Sequence, residues 1–561
     1  MIQLLSLETA FSALIVKLRS SMNTLSPVNK LPPETLSQIF SYVSAPNSVA
    51  AVSGFDIPRS FREWAAVTRV CRYWREAAVA SPNLWSKIGT PQRDLTELFL
   101  SRSAAHPLEV YAFPPPRPHR GPPFLEAFLP HLNRLKTLSF QMSQRVYGTD
   151  YILAEVAVPS LERLWISATS GDLSDNYPID WISRLFTGNS KVPRLQHLCL
   201  SYVPFTSPFK FDNLSHLHFY HVPSLETQLP MVLESLACNP NLRELLLSQR
   251  AEITDIDLDL QPLPKPHIPL HSLQKLRVMD MSPPAITYLL SALKLEENGL
   301  ALHFSYVPNT TNPIATIFPP TFPNGLSIFG AAKVELDSTG HRYAVVQATG
   351  PASSVRIETT LPYRALRSHA ARLLEDHHPC PHVVKELWIH AHYDGDRSSL
   401  KFIPRSQVFP NLEVLVIKAL ESAVVDELCS AIKPEVKYPQ LSTLVVYIPC
   451  WTFPDFCKFA EVLRYHHPKL RTVRVGAVVW VDLEAAVKVF KNIAEEKTLT
   501  IEVDSLNLDT DFGGMELPEI CAAGDVTWWQ WSCGIHTEEL EDIEQMMQEI
   551  FSEEKYLDRW S

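Results

Sequence analysis

The sequence predicts an α/β chain: a small helical module, then a curved solenoid of strand–helix repeats broken by a β-rich insertion. Three observations carry this expectation. Two apolar stripes at helical spacing lie between Leu31 and Trp85. The pattern Leu-x-x-Leu-x-apolar then returns along most of the chain. Between Ala301 and Thr360 that rhythm yields to period-two alternation. The implied divisions are a leader helix and linker (1–30), the helical module (31–90), a first repeat block (91–300), a strand-rich insertion (301–380), a second repeat block (381–510) and an acidic cap (511–561).

The first 18 residues are mostly apolar, but Glu8 interrupts them and no basic residue stands ahead of Lys17. That composition fits a leader helix better than a secretory signal. No other run is long and apolar enough to span a bilayer, so no membrane contact is expected. Nine cysteines are scattered singly with no Cys-x-x-Cys pair. In so long a chain they read as reduced thiols of a cytoplasmic or nuclear protein.

The helical module opens Leu31-Pro32-Pro33-Glu34 and continues through Leu36, Ile39 and Phe40. Two prolines and an acidic residue suit a helix start, where N–H groups lack partners and the dipole is positive. Trp64, Val67, Cys71, Trp74 and Ala78 form a second stripe, and Asn83-Leu84-Trp85 closes the segment. About 55 residues with two such faces cannot bury both alone, which points to a partner.

The ordered set Leu-Pro-x-Glu-x-Leu-x-x-Ile-Phe, Val70-Cys71-x-x-Trp74 and Leu84-Trp85 resembles an F-box, specifically the F-box-like module at the front of many fungal proteins. The connection Ser44 to Ser60 departs from the family in being longer and in lacking the usual Asp-Leu pair. The resemblance implies docking to the Skp-type adaptor of a cullin–RING ubiquitin ligase. The implied adaptor contacts are Leu31, Pro32, Leu36, Ile39, Phe40, Val67, Val70, Cys71 and Trp74.

The repeat begins at Leu135-x-x-Leu138-x-Phe140 and returns from Leu161, Leu195, Leu214, Leu242 and Leu273. It resumes from Val384, Leu412, Leu441 and Leu470, at intervals of 28, 29 and 29 residues. Such a period is that of leucine-rich repeats that carry a helix. Met231–Cys238, Ala285–Leu295, Ala423–Ile432, Asp455–Tyr465 and Leu483–Ala494 could supply those helices. Within the insertion, strands are expected around Lys333, Tyr343 and Ser354, with Ser338 to His341 as a turn. Phe113 to Pro123, rich in Pro and basic residues, is expected to be an extended connector.

In each repeat the residue between the last two apolar positions should face solvent from the inner side of the stack. Trp165, His218, Arg277 and Trp388 occupy that column, and Trp and Arg are common anchors of binding surfaces, so these four are expected to hold a target protein. Val414, Val416 and Val445 make part of the same face apolar, which calls for a cover. The C-terminal region with Trp528, Trp529 and Trp531 is one candidate. Thr537 to Tyr556 reads as an acidic amphipathic helix, a suitable closing element.

The net charge of −11 and the absence of a Lys/Arg-rich run exclude a nucleic-acid footprint. No nucleophile elbow, phosphate loop or His-Glu-x-x-His is present, and the cluster Asp376 to His382 lacks standard metal-ligand spacing. Neither catalysis nor a cofactor or metal is expected. The function implied is that of a substrate receptor of an SCF-type ligase, reaching cullin through the adaptor. A protein–protein scaffold without a degradative role is the alternative.

Overall fold

In the computed structural model, the described residues are 26–43, 66–89, 93–112, 124–142, 157–168, 192–205, 207–250, 268–295, 299–307, 333–337, 343–349, 353–360, 384–391, 409–419, 438–451, 453–464, 469–480, 483–497 and 499–505, with single residues of 11–25 and 425–429. The long connection after Ser44, the Pro-rich stretch 113–123, the cluster 376–382 and the acidic segment 511–561 lie outside them. The described residues between Phe11 and Leu25 are helical, and a 3-10 turn, Pro27–Lys30, follows.

A small helical region comes first. Helix α1 (Pro33–Val43) packs on α2 (Arg72–Val79), and a 3-10 turn, Pro82–Trp85, closes the unit. Strand β1 (Lys87–Ile88) leaves that turn directly and pairs in parallel with β2 (Leu108–Ala112) beyond helix α3 (Arg93–Arg102). The helical region is thus built onto one edge of the sheet.

A strand-rich region follows. Parallel pairing runs from β2 through β3 (Leu135–Met142), β4 (Arg163–Ala168), β5 (His197–Ser201), β6 (His216–Val222) and β7 (Glu244–Gln249). A short strand β8 (Ile268–Leu270) pairs apart from the main sheet with β10 (Leu293–Leu295). The main sheet goes on from β7 to β9 (Lys275–Met279) and then β11 (Ala301–Val307).

The insertion supplies β12 (Lys333–Asp337), β13 (Tyr343–Thr349) and β14 (Ser354–Thr360), an antiparallel meander. It is not a separate patch. β14 pairs in parallel with β11, and β12 pairs in parallel with β15 (Glu386–Ala391). Parallel order then continues through β16 (Val414–Ala419), β17 (Thr443–Trp451), β18 (Thr472–Trp480) and β19 (Thr500–Ser505). The result is one 17-stranded sheet, neither closed nor curled.

One face of the sheet builds the core. Leu164, Leu198, Leu217, Leu245, Leu276 and Leu302 align strand to strand and are all buried. Each fully buried side chain of this kind contributes about 1.5–3 kcal/mol. Helices α4 (Leu229–Cys238), α5 (Pro283–Ala292), α6 (Phe453–Arg464) and α7 (Leu483–Lys497) turn apolar stripes to that core. On α6 the stripe is Phe456, Phe459 and Leu463, at intervals of three and four. Of the expected helix 423–432, Val425, Leu428 and Cys429 are described; they are helical and buried. The same cluster of buried apolar residues reaches from Leu36 to Leu499.

Candidate functional site

The other face of the sheet carries the residues expected to hold a target. Strand register aligns Ser139, Trp165, Cys199, His218, Leu246, Arg277 and His303 in one row. The row proceeds through Arg356, Gln347 and Glu335 of the insertion to Trp388, Val416, Val445, Arg474 and Glu502. Trp165, His218, Arg277 and Trp388 therefore share a row but not a site. At about 4.8 Å per strand, the nine steps from Trp165 to Trp388 span about 43 Å along the sheet.

The expectation of an open face also needs correction. His218 is buried, and Trp165, Arg277 and Trp388 are half-buried. Strands lie close enough that long side chains shield one another. The His197 and His216 rings stack with centroids 4.0 Å apart. Lys418, itself buried, holds its ammonium 5.0 Å from the Trp388 ring centroid and 5.7 Å from that of Tyr447. The indole N–H of Trp388 donates to Glu386 at 2.6 Å.

Two buried ionic groups sit on this face. In one, Glu244 accepts Lys275 at 3.3 Å, with His216 and His218 each 3.9 Å away. Burial, then the neighbouring His216, pushes His218 down to about 3, so its ring is neutral at physiological pH. Burial acts likewise on His197, also down to about 3. In the other group, Glu358 lies 2.7 Å from Arg356 and 3.1 Å from His303 Nε2. Burial opposes ionising Glu358, but His303, Arg356 and Arg277 outweigh it and hold the carboxyl well below the usual range. Burial pushes His303 down to about 4 against the pull of Glu358. The charge balancing Glu358 at neutral pH is therefore an arginine. Among the described residues, no group of three His, Cys, Asp or Glu could hold a metal ion.

The helical region presents a different kind of surface. Leu36 and Phe40, one turn apart on α1, are 0% and 1% exposed, and Val67 is buried as well. These three were expected to meet a partner. They instead belong to the buried core, because a unit this small must spend its best-placed apolar side chains on its own packing. The Phe40 and Trp74 rings pack with centroids 5.2 Å apart.

What remains uncovered is Ile39 (40% exposed), Tyr42 (77%) and Val70 (56%), with Pro32 also exposed. Leu31, Cys71 and Trp74 are half-buried and turn much of their chemistry inward. The Cys71 sulfur accepts the Trp74 N–H at 3.5 Å, capping α2. The Trp74 indole donates to Asn29 Oδ1 at 2.6 Å, and the Tyr73 hydroxyl donates to the Leu31 carbonyl at 2.7 Å.

Residues 28–90 match the F-box-like family. No curated protein matches the chain. F-box domains typically bind Skp-type adaptors, and F-box proteins are generally non-catalytic adaptors. The match suggests a role in ubiquitin-ligase adaptor binding or substrate recognition.

The F-box-like module is fastened to the sheet through its closing residues. Trp85 packs against Phe99 of α3 with ring centroids 5.1 Å apart, and the Arg102 guanidinium lies 4.2 Å from the Trp85 ring. Trp85 also donates its indole N–H to the Ala78 carbonyl at 2.9 Å. Sequence reasoning missed Tyr42, which lies one turn beyond Ile39 but after the end of the family pattern at Phe40, and Asn29, which precedes that pattern. It also missed the Arg356–Glu358 pair, legible only as alternate residues of an inserted strand.

Proposed function

We propose that the chain is the substrate-recognition subunit of a cullin–RING ubiquitin ligase of the SCF type. The F-box-like module docks the Skp-type adaptor through Ile39, Tyr42 and Val70, with the open parts of Leu31, Pro32, Cys71 and Trp74 around them. The strand-rich region is a leucine-rich-repeat solenoid. Its inner face takes a target protein, with Trp165, Arg277 and Trp388 as contacts and His218 as part of the floor beneath them.

The chain performs no bond chemistry in this role. It raises the concentration of the target near the conjugating enzyme carried by the cullin. The match at residues 28–90, together with exposed apolar residues over a packed helix pair, supports this reading.

The test is to purify the full chain with the adaptor and repeat the experiment with Val70→Glu and Tyr42→Glu. Both positions are exposed, so the variants should stay folded and lose the adaptor. Wild-type chain that fails to bind purified adaptor would end the proposal. A captured target whose abundance does not change on deleting the chain would leave a scaffold in place of a degradative receptor.

A further inference from the structure

Exposed apolar residues are distributed unevenly over this molecule. Thirteen large hydrophobic side chains are exposed among the described residues, and eleven of them lie between Phe11 and Val79. None is on a strand of the sheet. Six belong to the leader helix: Phe11, Leu14, Ile15, Leu18, Met22 and Leu25. Steps of three and four place them on one face.

We propose that this leader face is a second half of the adaptor-docking surface, occupied by the same Skp-type adaptor that the F-box-like module takes. The inference rests on the reading of the module given above and extends its boundary toward the amino end.

Continuity is the first argument. Val28, also exposed, sits in the 3-10 turn that joins the leader to the module. Its neighbour Asn29 ties the two together. The Asn29 amide donates to the Asn23 carbonyl at 2.6 Å, while its oxygen accepts the Trp74 indole N–H, also at 2.6 Å. One side chain thus fixes the end of the leader against α2.

Size is the second argument. Specific interfaces bury about 800 Å² on each partner, from about 20–30 residues. Ile39, Tyr42 and Val70 are few for that, and the leader supplies six further exposed apolar side chains.

Shape is the third. A two-stranded coiled coil needs a narrow seam sustained over several heptads. Phe11, Ile15, Leu18, Met22 and Leu25 hold that spacing for only two heptads, and Leu14 beside Ile15 widens the stripe, so a broad apolar surface covers it more fully than a single facing helix.

The experiment is calorimetric titration of purified adaptor into the full-length chain, beside Leu14→Glu/Leu18→Glu, Asn29→Ala and Val70→Glu, with hydrogen exchange on the wild-type complex. The inference expects the leader double variant to weaken binding at least tenfold with an unchanged thermal transition. Asn29→Ala should weaken it less, and the adaptor should protect residues 11–25 together with 33–43. If Val70→Glu loses the adaptor while the leader variant binds like wild type and 11–25 gain no protection, the inference is wrong and the module reading stands. If wild-type chain does not bind, both fall. Doubling of the mass in light scattering without adaptor, or binding of phosphatidylserine vesicles that Leu14→Glu/Leu18→Glu abolishes, would assign the face to a second copy or a membrane and overturn the proposal.

Discussion

Replacing Leu36 by Ala separates packing from docking in the F-box-like module. Leu36 is 0% exposed and lies one turn from Phe40, which meets Trp74 on the facing helix. Truncating a buried leucine in a small core costs about 3 kcal/mol, from lost transfer energy and the residual cavity. At about 1.4 kcal/mol per tenfold, that is about two powers of ten in the opening equilibrium of the module. Hydrogen exchange of the full chain reads this directly at the amides of 33–43 and 72–79, without requiring a two-state transition of the whole molecule. Ile39 is already 40% exposed, so Ile39→Ala should cost about 1 kcal/mol and accelerate exchange less than about tenfold. The order reverses for adaptor affinity: Ile39→Ala weakens binding while Leu36→Ala, as long as the module remains folded, does not. If Leu36→Ala leaves exchange untouched and still abolishes binding, Leu36 is a contact and the packing argument fails.

Three further outcomes follow from the sheet. Folding keeps His218 and His303 neutral, whereas the unfolded chain protonates them below about 6.5, so the unfolded state binds more protons and stability falls as pH drops from 6.5 toward 4. At pH 5.5 each costs on the order of 1 kcal/mol; His218→Asn should therefore reduce the loss of melting temperature between pH 7.5 and 5.5. Asp280, pushed up to about 7 by burial against the pull of Arg277, acts oppositely, so Asp280→Asn should enlarge that loss. Glu358→Gln removes the carboxylate that faces the buried Arg356 at 2.7 Å and should cost about 3 kcal/mol in urea unfolding, where a shift below about 1 kcal/mol would contradict an ionised Glu358. Asn239 is buried, accepting the Phe211 N–H at 2.8 Å and donating to the Phe209 and Ser235 carbonyls at 3.0 and 2.6 Å. Asn239→Ala strands those groups and should cost at least about 2 kcal/mol, seen as a lower urea midpoint.

The parallel order of strands was legible because Leu-x-x-Leu-x-apolar fixes both a period of two and a side, and a one-residue slip would turn Leu198 and Leu200 outward. The helices α4, α6 and α7 were legible from stripes such as Phe456, Phe459 and Leu463. The three strands of the insertion could be read from their alternation, but not their place, since pairing across the sheet leaves no mark in local spacing. The module shows the limit most clearly. Leu36, Ile39 and Phe40 are equally apolar and equally part of the family pattern, yet two are core and one is surface. Which helix face meets the chain's own partner is decided by the crossing of α1 and α2. His218 failed for a related reason: a position on the face away from the core becomes buried when its surroundings include the large side chains of His216, Glu244 and Lys275.

The place of the insertion has a consequence for function. A meander of three strands has an odd count, so β12 runs in the direction of β14 and the parallel order can resume at β15. Two strands would have reversed it. Register also carries across, from Arg277 and His303 through Arg356, Gln347 and Glu335 to Trp388. The face is thereby lengthened by three strand widths, about 14 Å, without being broken. Because β1 leaves the F-box-like module directly, position along this face measures distance from that module. Trp165 lies three steps from β1, about 14 Å along the sheet, and Trp388 lies twelve steps away, about 58 Å. A target held at Trp165 would therefore sit close beside the module, and one held at Trp388 would be carried far from it. Under the proposed role, the strand that a target chooses sets how near its lysines come to the conjugating enzyme. Trp165→Ala and Trp388→Ala, made separately, would tell which.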